Sequence, residues 1–321
     1  MADELDVLEG ERRPARRWLR WSGFSLSFIV GLVLVYYIGG ALLIQNVDDD
    51  ISFGTASSAP EGGSHAVAVT ADLVEREVDV NRWTPNDPFF LPAYILDNMP
   101  NFQEGIVDAS ARFINEMRDH VARTRGSSPI DKDLEEAAGA LRYPPRTWYI
   151  DFKASWGPTS AADQQYRAAV RALRSYNARL ANGNAVFDRR ADNLQVVLDR
   201  VAQAVGAASA RLYEHIQDHG NNPFDLYCDN VFYRVKGEIY AYTVILRALG
   251  EDFRQVIETR DMTEPWAQTI ATLEEAAKLQ PIFVFNGMPD SMLLPAHLAG
   301  QGFYVLRART QLRELTSILQ T

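Results

Sequence analysis

A chain of 321 residues that is 47% hydrophobic and 23% charged, with 20 Gly and 15 Pro, is too apolar for a disordered protein and too poor in Gly and Pro for a collagen-like one. The net charge of −10 is uneven, because five Arg and five acidic residues balance within residues 1–22 and the whole excess falls beyond residue 47. An acidic body repels phosphate backbones, which sets nucleic acid aside as a partner, and the single cysteine, Cys228, excludes an intrachain disulfide.

From Phe24 to Ile44 the chain runs 21 residues without a charge. At about 1.5 Å per residue that is enough to cross a bilayer core of roughly 30 Å. Arg12, Arg13, Arg16, Arg17 and Arg20 crowd the preceding flank beside Trp18 and Trp21, whereas Tyr36 and Tyr37 lie toward the far end and Asp48, Asp49 and Asp50 follow. The positive-inside rule therefore makes residues 1–22 a cytoplasmic tail and residues 23–45 a single-pass transmembrane signal anchor. A cleaved signal peptide is the alternative, but the apolar run is too long for one and Leu42-Leu43-Ile44-Gln45-Asn46 offers no small-x-small cleavage site. The expected setting is a bacterial inner membrane with the bulk of the chain periplasmic, and the first expected partner is the membrane itself, through this helix.

Residues 46–64 include Ile51 to Ser64, rich in Gly, Ser, Ala and Pro without apolar period, and read as a flexible linker. Residues 65–321 read as one helical periplasmic domain. The expected fold class is mainly α: an N-terminal transmembrane helix followed by a helical-bundle-like exported domain, with room for a minor two-stranded β element.

The helical segments follow in chain order. Asn101 with Glu104 makes a capping-box start for Phe102, Ile106, Phe113, Met117 and Val121 on one stripe, and Ser160 with Asp163 repeats the pattern before Tyr166, Val170, Leu173 and Leu180. A long run from Phe187 to His219 ends at Gly220. Further helices are predicted from Asp229 to Gly250 and from Thr263, where Pro265 suits the first turn. In the last helix Leu298, Val305, Leu312 and Leu319 recur every seven residues with Ala308 and Leu315 between them. That pattern permits a homo-oligomer through the C-terminal helix, although three heptads favour packing within the domain. Arg146 to Phe152 and Pro281 to Phe285, aromatic and β-branched, are candidates to pair as two short strands.

Several groups carry possible chemistry. His215 and His219, spaced i and i+4 near Asp225 and Cys228, have the spacing of a divalent-metal pair. Ile216 stands where a zinc hydrolase of the HExxH type carries its Glu, and the plainer account is two histidines complementing the end of a helix dipole. Tyr233, Lys236, Tyr240, Thr243 and Arg247 step by three and four along one helix face, mixing aromatic and cationic groups as partner-binding surfaces do. The plainer account is half-buried tyrosines beside solubilising cations. The loop Trp83 to Pro92 concentrates aromatics and prolines, and Phe89 and Phe90 are expected to staple the core. Glu75, Glu77 and Asp79 read as a solvated acidic face rather than an acid pair for glycoside cleavage. Cys228 lacks the local signature of a catalytic thiol, no catalytic residue is identified, and no cofactor motif is found.

The cytoplasmic tail, the anchor and the strings NDPFFLPAYILDNMPNF, FDRRADNL and GFYVLRAR resemble an uncharacterised bacterial inner-membrane family known only as a domain of unknown function. The likeness covers nearly the whole chain from the anchor onward. It implies the localisation and transfers no activity. The leading expectation is a membrane-anchored periplasmic interaction or scaffolding protein with an envelope protein partner. The alternative is a cell-envelope enzyme acting on cell-wall glycan or peptide, metal-assisted at His215 and His219.

Overall fold

The computed structural model describes residues 12–55, 58–122, 129–150, 157–222 and 225–320, with side chains from residue 23 onward. The flanking arginines and tryptophans of the N-terminal segment therefore have their side chains outside the described part. The chain divides into two units, Met1–Gln45 with Pro88–Leu96, and Asn46–Asp87 with Asp97–Thr321.

The first unit is built on helix α1 (Arg12–Ile44). Its portion Gly23–Ile44, 22 residues long, is apolar enough to cross a membrane and is almost entirely uncovered by protein, with Phe24, Phe28, Val35 and Leu43 among its exposed side chains. A helix that is apolar all round is stable where its surroundings are apolar. Within this unit the segment Pro88–Leu96 packs on it, through a short 3-10 turn at Pro92–Ile95. Gly40 permits this approach, since a Cβ there would lie 2.5 Å from Pro92 Cβ and Cγ. Phe89 and Phe90 do not staple a core as expected. Both rings project outward beside α1, because the turn directs their carbonyls, not their rings, at the helix.

The second unit holds nine further α-helices among the described residues: α2 (His65–Glu75), α3 (Asn98–Glu116), α4 (Lys132–Leu141), α5 (Ala162–Ala181), α6 (Ala191–His219), α7 (Cys228–Asp252), α8 (Arg254–Thr259), α9 (Thr263–Ala277) and α10 (His297–Gln320). α7 is the central element, buried on most of its circumference, with α3, α9 and α2 packed against it. The α3–α7 approach is set by two glycines. A Cβ on Gly105 would fall 2.3 Å from the Arg234 carbonyl oxygen, and one on Gly237 would fall 2.1 Å from that of Phe102.

The predicted stripes occupy the core. Phe102, Ile106, Phe113, Tyr166, Leu173, Leu194, Val201, Val235 and Ile239 are all buried. The heptad positions Leu298, Val305, Leu312 and Leu319 are buried where α10 packs along α6, so this stripe is used inside the domain. Element ends differ from expectation where a cap was misjudged. α3 starts three residues before Asn101, capped by the Asp97 side chain, and α7 runs through Gly250 because that glycine faces the Trp266 indole within the packed α7–α9 contact.

The two aromatic segments do not pair with each other among the described residues. Ile150 forms an isolated antiparallel bridge with Pro158, and Asn286 one with Ala296, so each segment closes its own loop; residues 151 and 152 lie outside the described part. The stretch 46–64 is also no free linker where it is described. Residues 46–53 are bonded to the domain, Ile51 and Phe53 pack against its core, and Ser64 caps α2 at Val67 while its own amide donates to Asn177 Oδ1.

Candidate functional site

The face expected to meet a partner is filled by the chain itself. Positions 236, 240, 243 and 247 lie one turn apart on α7, and the segment from Asp48 to Phe53 runs along them. Lys236, only 1% exposed, sets Nζ 2.5 Å from Asp49 Oδ2 and donates to the Leu279 carbonyl at 2.6 Å. Gln280 Nε2 completes the hold on Asp49, at 2.8 and 2.7 Å from its two carboxylate oxygens. Tyr240 Oη donates to the Asp50 carbonyl at 2.9 Å, and Arg247 Nη1 to that of Ile51 at 2.7 Å while Nη2 reaches Glu274 Oε1 at 2.6 Å. Thr243 bonds back to Ile239 within its own helix, and Tyr233 is half-buried against the core. Three of the five residues, Lys236, Tyr240 and Arg247, therefore hold backbone carbonyl and carboxylate groups supplied by residues 49–51.

Arg76 extends the clamp. It sits at the end of α2, where the helix widens into a π-turn (Arg76–Val80) that turns both Arg76 and Glu77 inward. Its guanidinium donates to Tyr240 Oη at 2.8 Å, to the Asp48 carbonyl at 2.9 Å and to Glu77 Oε1 at 2.9 and 2.7 Å, and it stacks over Phe53 at 4.5 Å from the ring centre. Glu77 is fully buried, which corrects its assignment to a solvated face; Glu75 and Asp79 do lie at the surface, paired with Arg174 and Arg167. Asn81 and Gln103 side chains donate to the Glu77 oxygens at 3.3 Å each.

Burial sets the electrostatics of this cluster. It pushes the Glu77 carboxyl up, against the pull of Arg76, and draws the Lys236 ammonium down, against Asp49. It also pushes the Tyr240 hydroxyl up, so that group stays a neutral donor. Burial works against the Arg76 cation too, but Glu77, Tyr240 and Asp48 outweigh it and hold that group above its ordinary value. Lys236, Tyr240, Arg247 and Arg76 thus hold residues 48–51 as a strap against the helical domain.

The histidine corner is built differently from a metal site. The His215 and His219 rings stack with centroids 4.6 Å apart, and His215 Nε2 faces Asp225 Oδ2 at 2.8 Å. Asp225 also accepts from Asn286 Nδ2 at 3.0 Å and from the Tyr227 amide at 3.1 Å. Among the described residues no three His, Cys, Asp or Glu side chains converge to hold a metal ion. Asp225 resists burial through its bonds to Asn286 and His215 and stays below the usual carboxylate range. Cys228 is buried, its sulfur 3.1 Å from the Asp225 carbonyl and 3.3 Å from that of Val284, and burial with Asp225 and Asp229 pushes the thiol up to about 11. Such a thiol is a poor nucleophile at neutral pH.

This corner carries a surface the sequence pattern did not single out. The Asn221 amide donates to the Asn286 carbonyl at 2.8 Å, the Asn221 side chain accepts from the Met288 amide at 3.0 Å, and His297 Nδ1 accepts from the Phe285 amide at 3.0 Å. These bonds fix a loop whose large apolar side chains stand in solvent, Met292 at 98% and Leu293 at 92% exposed with Ile282 and Phe283 beside Val284, while Leu226 and Tyr227 are exposed on the facing segment. A separate open groove of about 570 Å³ between α7, α8 and α9 is lined by Arg247, Arg254, Trp266 and three glutamates.

A family model described as an uncharacterised protein conserved in bacteria, DUF2333, matches residues 61–224 and 222–321. No curated protein and no solved structure matches the chain.

Proposed function

We propose, from the premise that the chain belongs to DUF2333, a family of uncharacterised proteins conserved in bacteria, that it is a membrane-anchored interaction protein of the cell envelope. In this reading α1 spans the inner membrane with residues 1–22 in the cytoplasm, and the helical domain lies in the periplasm. The length and bareness of Gly23–Ile44 support the span, and the excess of arginine before it supports the orientation. The partner-binding surface is the exposed apolar set Leu226, Tyr227, Ile282, Phe283, Met292 and Leu293.

The observation that carries the interaction reading is that these side chains are held outward by a bonded framework. Aromatic and Met side chains on a fixed loop are characteristic of protein interfaces, and an exposed apolar patch is otherwise a liability to solubility. Lys236, Tyr240 and Arg247 are engaged by residues 49–51, which favours an envelope protein that meets the 282–293 loop as the partner.

The test is in-cell photo-crosslinking of the full-length chain with the reactive side chain at Phe283 or Leu293, beside a Phe283→Ser, Leu293→Ser variant. Alkaline carbonate extraction and reporter fusions at each end check the anchor in the same strain. A reproducible envelope-protein adduct from wild type, lost in the variant at equal abundance, is expected. Adducts no different from those of an unrelated single-span anchor would overturn the reading.

A further inference from the structure

The segment Pro88–Leu96 (PFFLPAYIL) is nine residues without a charge, and it is closed at both ends by aspartates, Asp87 and Asp97. Its large side chains are not in a core: Phe89 is 70% exposed, Phe90 46%, Tyr94 60% and Ile95 51%. In water such a loop is unfavourable at each of these positions. Its backbone, by contrast, is cared for. Leu91 N donates to the Pro88 carbonyl, Tyr94 N to Leu91 and Leu96 N to Ala93 at 2.9 to 3.1 Å. The two carbonyls at the aromatic tip accept from the anchor helix, Phe90 O from Tyr36 Oη at 3.0 Å and Phe89 O from Tyr37 Oη at 2.5 Å.

We propose that Pro88–Leu96 is a membrane-inserted loop, seated on α1 with Phe89, Phe90, Tyr94 and Ile95 among the acyl chains of the leaflet farther from the N-terminus. The inference rests on α1 spanning the membrane. Depth follows from helical rise: Tyr36 and Tyr37 precede Ile44 by eight and seven residues, which puts the loop's tip carbonyls about 10 to 12 Å inside the end of the apolar run. Irregular backbone at that depth is tolerated only if its polar groups are bonded within the protein, and the tyrosine hydroxyls provide that bonding for the two tip carbonyls. Gly40 supplies the seat, since any side chain there would occupy the place of Pro92. The occupant is lipid rather than a protein because the exposed face of the loop is continuous with α1, on which it packs. The protein therefore touches the bilayer twice, once by a span and once by a loop lying in one leaflet.

Nitroxide labels on the full-length chain in phosphatidylethanolamine–phosphatidylglycerol vesicles test this. In a Cys228→Ala background, single labels are placed by Phe89→Cys, Tyr94→Cys, Leu34→Cys in the anchor and Gln217→Cys on the exposed face of α6. The readout is collision with oxygen, which partitions into lipid, against a water-soluble nickel chelate. Labels at 89 and 94 are expected to lose nickel accessibility to the level of position 34, with 217 remaining open. Nickel accessibility at 89 and 94 equal to that at 217, with 34 shielded, would overturn the loop insertion and leave the anchor standing. An open label at 34 would overturn the anchor and the insertion with it. Gly40→Leu should restore nickel access at 89 without changing 34, and an unchanged position 89 would overturn the seat on Gly40.

Discussion

Gly237 meets the Phe102 carbonyl so closely that a single added Cβ would sit 2.1 Å from the oxygen. The contact is between two backbones, so no flexible side chain can yield. Gly237→Ala should destabilise the domain by about 3 kcal/mol or more, at the upper end of what overpacking costs. Urea unfolding of the variant checks this: the midpoint should fall with an unchanged slope.

Lys236 and Asp49 form a pair that is nearly out of water at both ends. Removing one partner leaves the other charge buried, whereas removing both does not. Lys236→Met and Asp49→Asn should each cost about 2 to 4 kcal/mol, and the double variant should cost clearly less than their sum. A double-mutant cycle from urea midpoints measures the coupling, and additive losses would remove the clamp from the account.

Asp225 supplies the pH dependence. Burial raises its carboxyl, but the bonds from Asn286 and His215 outweigh burial and hold it below its ordinary value of 3.8. A lowered carboxylate contributes stability above its unfolded value, and that contribution fades as pH falls through the lower folded one. The thermal midpoint of Asp225→Asn should therefore lie below wild type at pH 5 to 7, and the gap should close below about pH 4. A constant gap across that range would assign the loss to packing.

Cys228, with its thiol raised to about 11 and buried, should resist alkylation in the folded protein at pH 8. Labelling by a maleimide should appear only along the urea unfolding curve. Rapid labelling of the native chain would mean that the corner of Asp225 and Val284 opens.

Much of the architecture is legible in the sequence because helical packing repeats locally. The apolar run to Ile44, the stripes of α3, α5, α6 and α10 and the stop at Gly220 are all set by neighbours within a few residues. α4 is harder to see, since a ten-residue helix containing Gly139 gives little periodic signal. The clamp shows the opposite limit. The spacing of Lys236, Tyr240 and Arg247 marks a cationic and aromatic face, but its occupant at residues 48–51 reads as linker because its order comes from bonds across the chain. Phe89 and Phe90 mislead for a related reason, as an aromatic pair before a helix looks the same whether its rings face a core or leave it.

The strap has a further consequence for how the protein is made. Asp50 waits 190 positions for Tyr240, and Asp49 waits 231 for Gln280. A ribosome therefore completes most of the polypeptide before Asp49 and Asp50 meet these partners, and closing so distant a pair carries a large entropic barrier. Residues 49–51 should be among the last to settle during synthesis, leaving that stretch of the nascent chain open to proteases until α7 and the segment after α9 have been delivered.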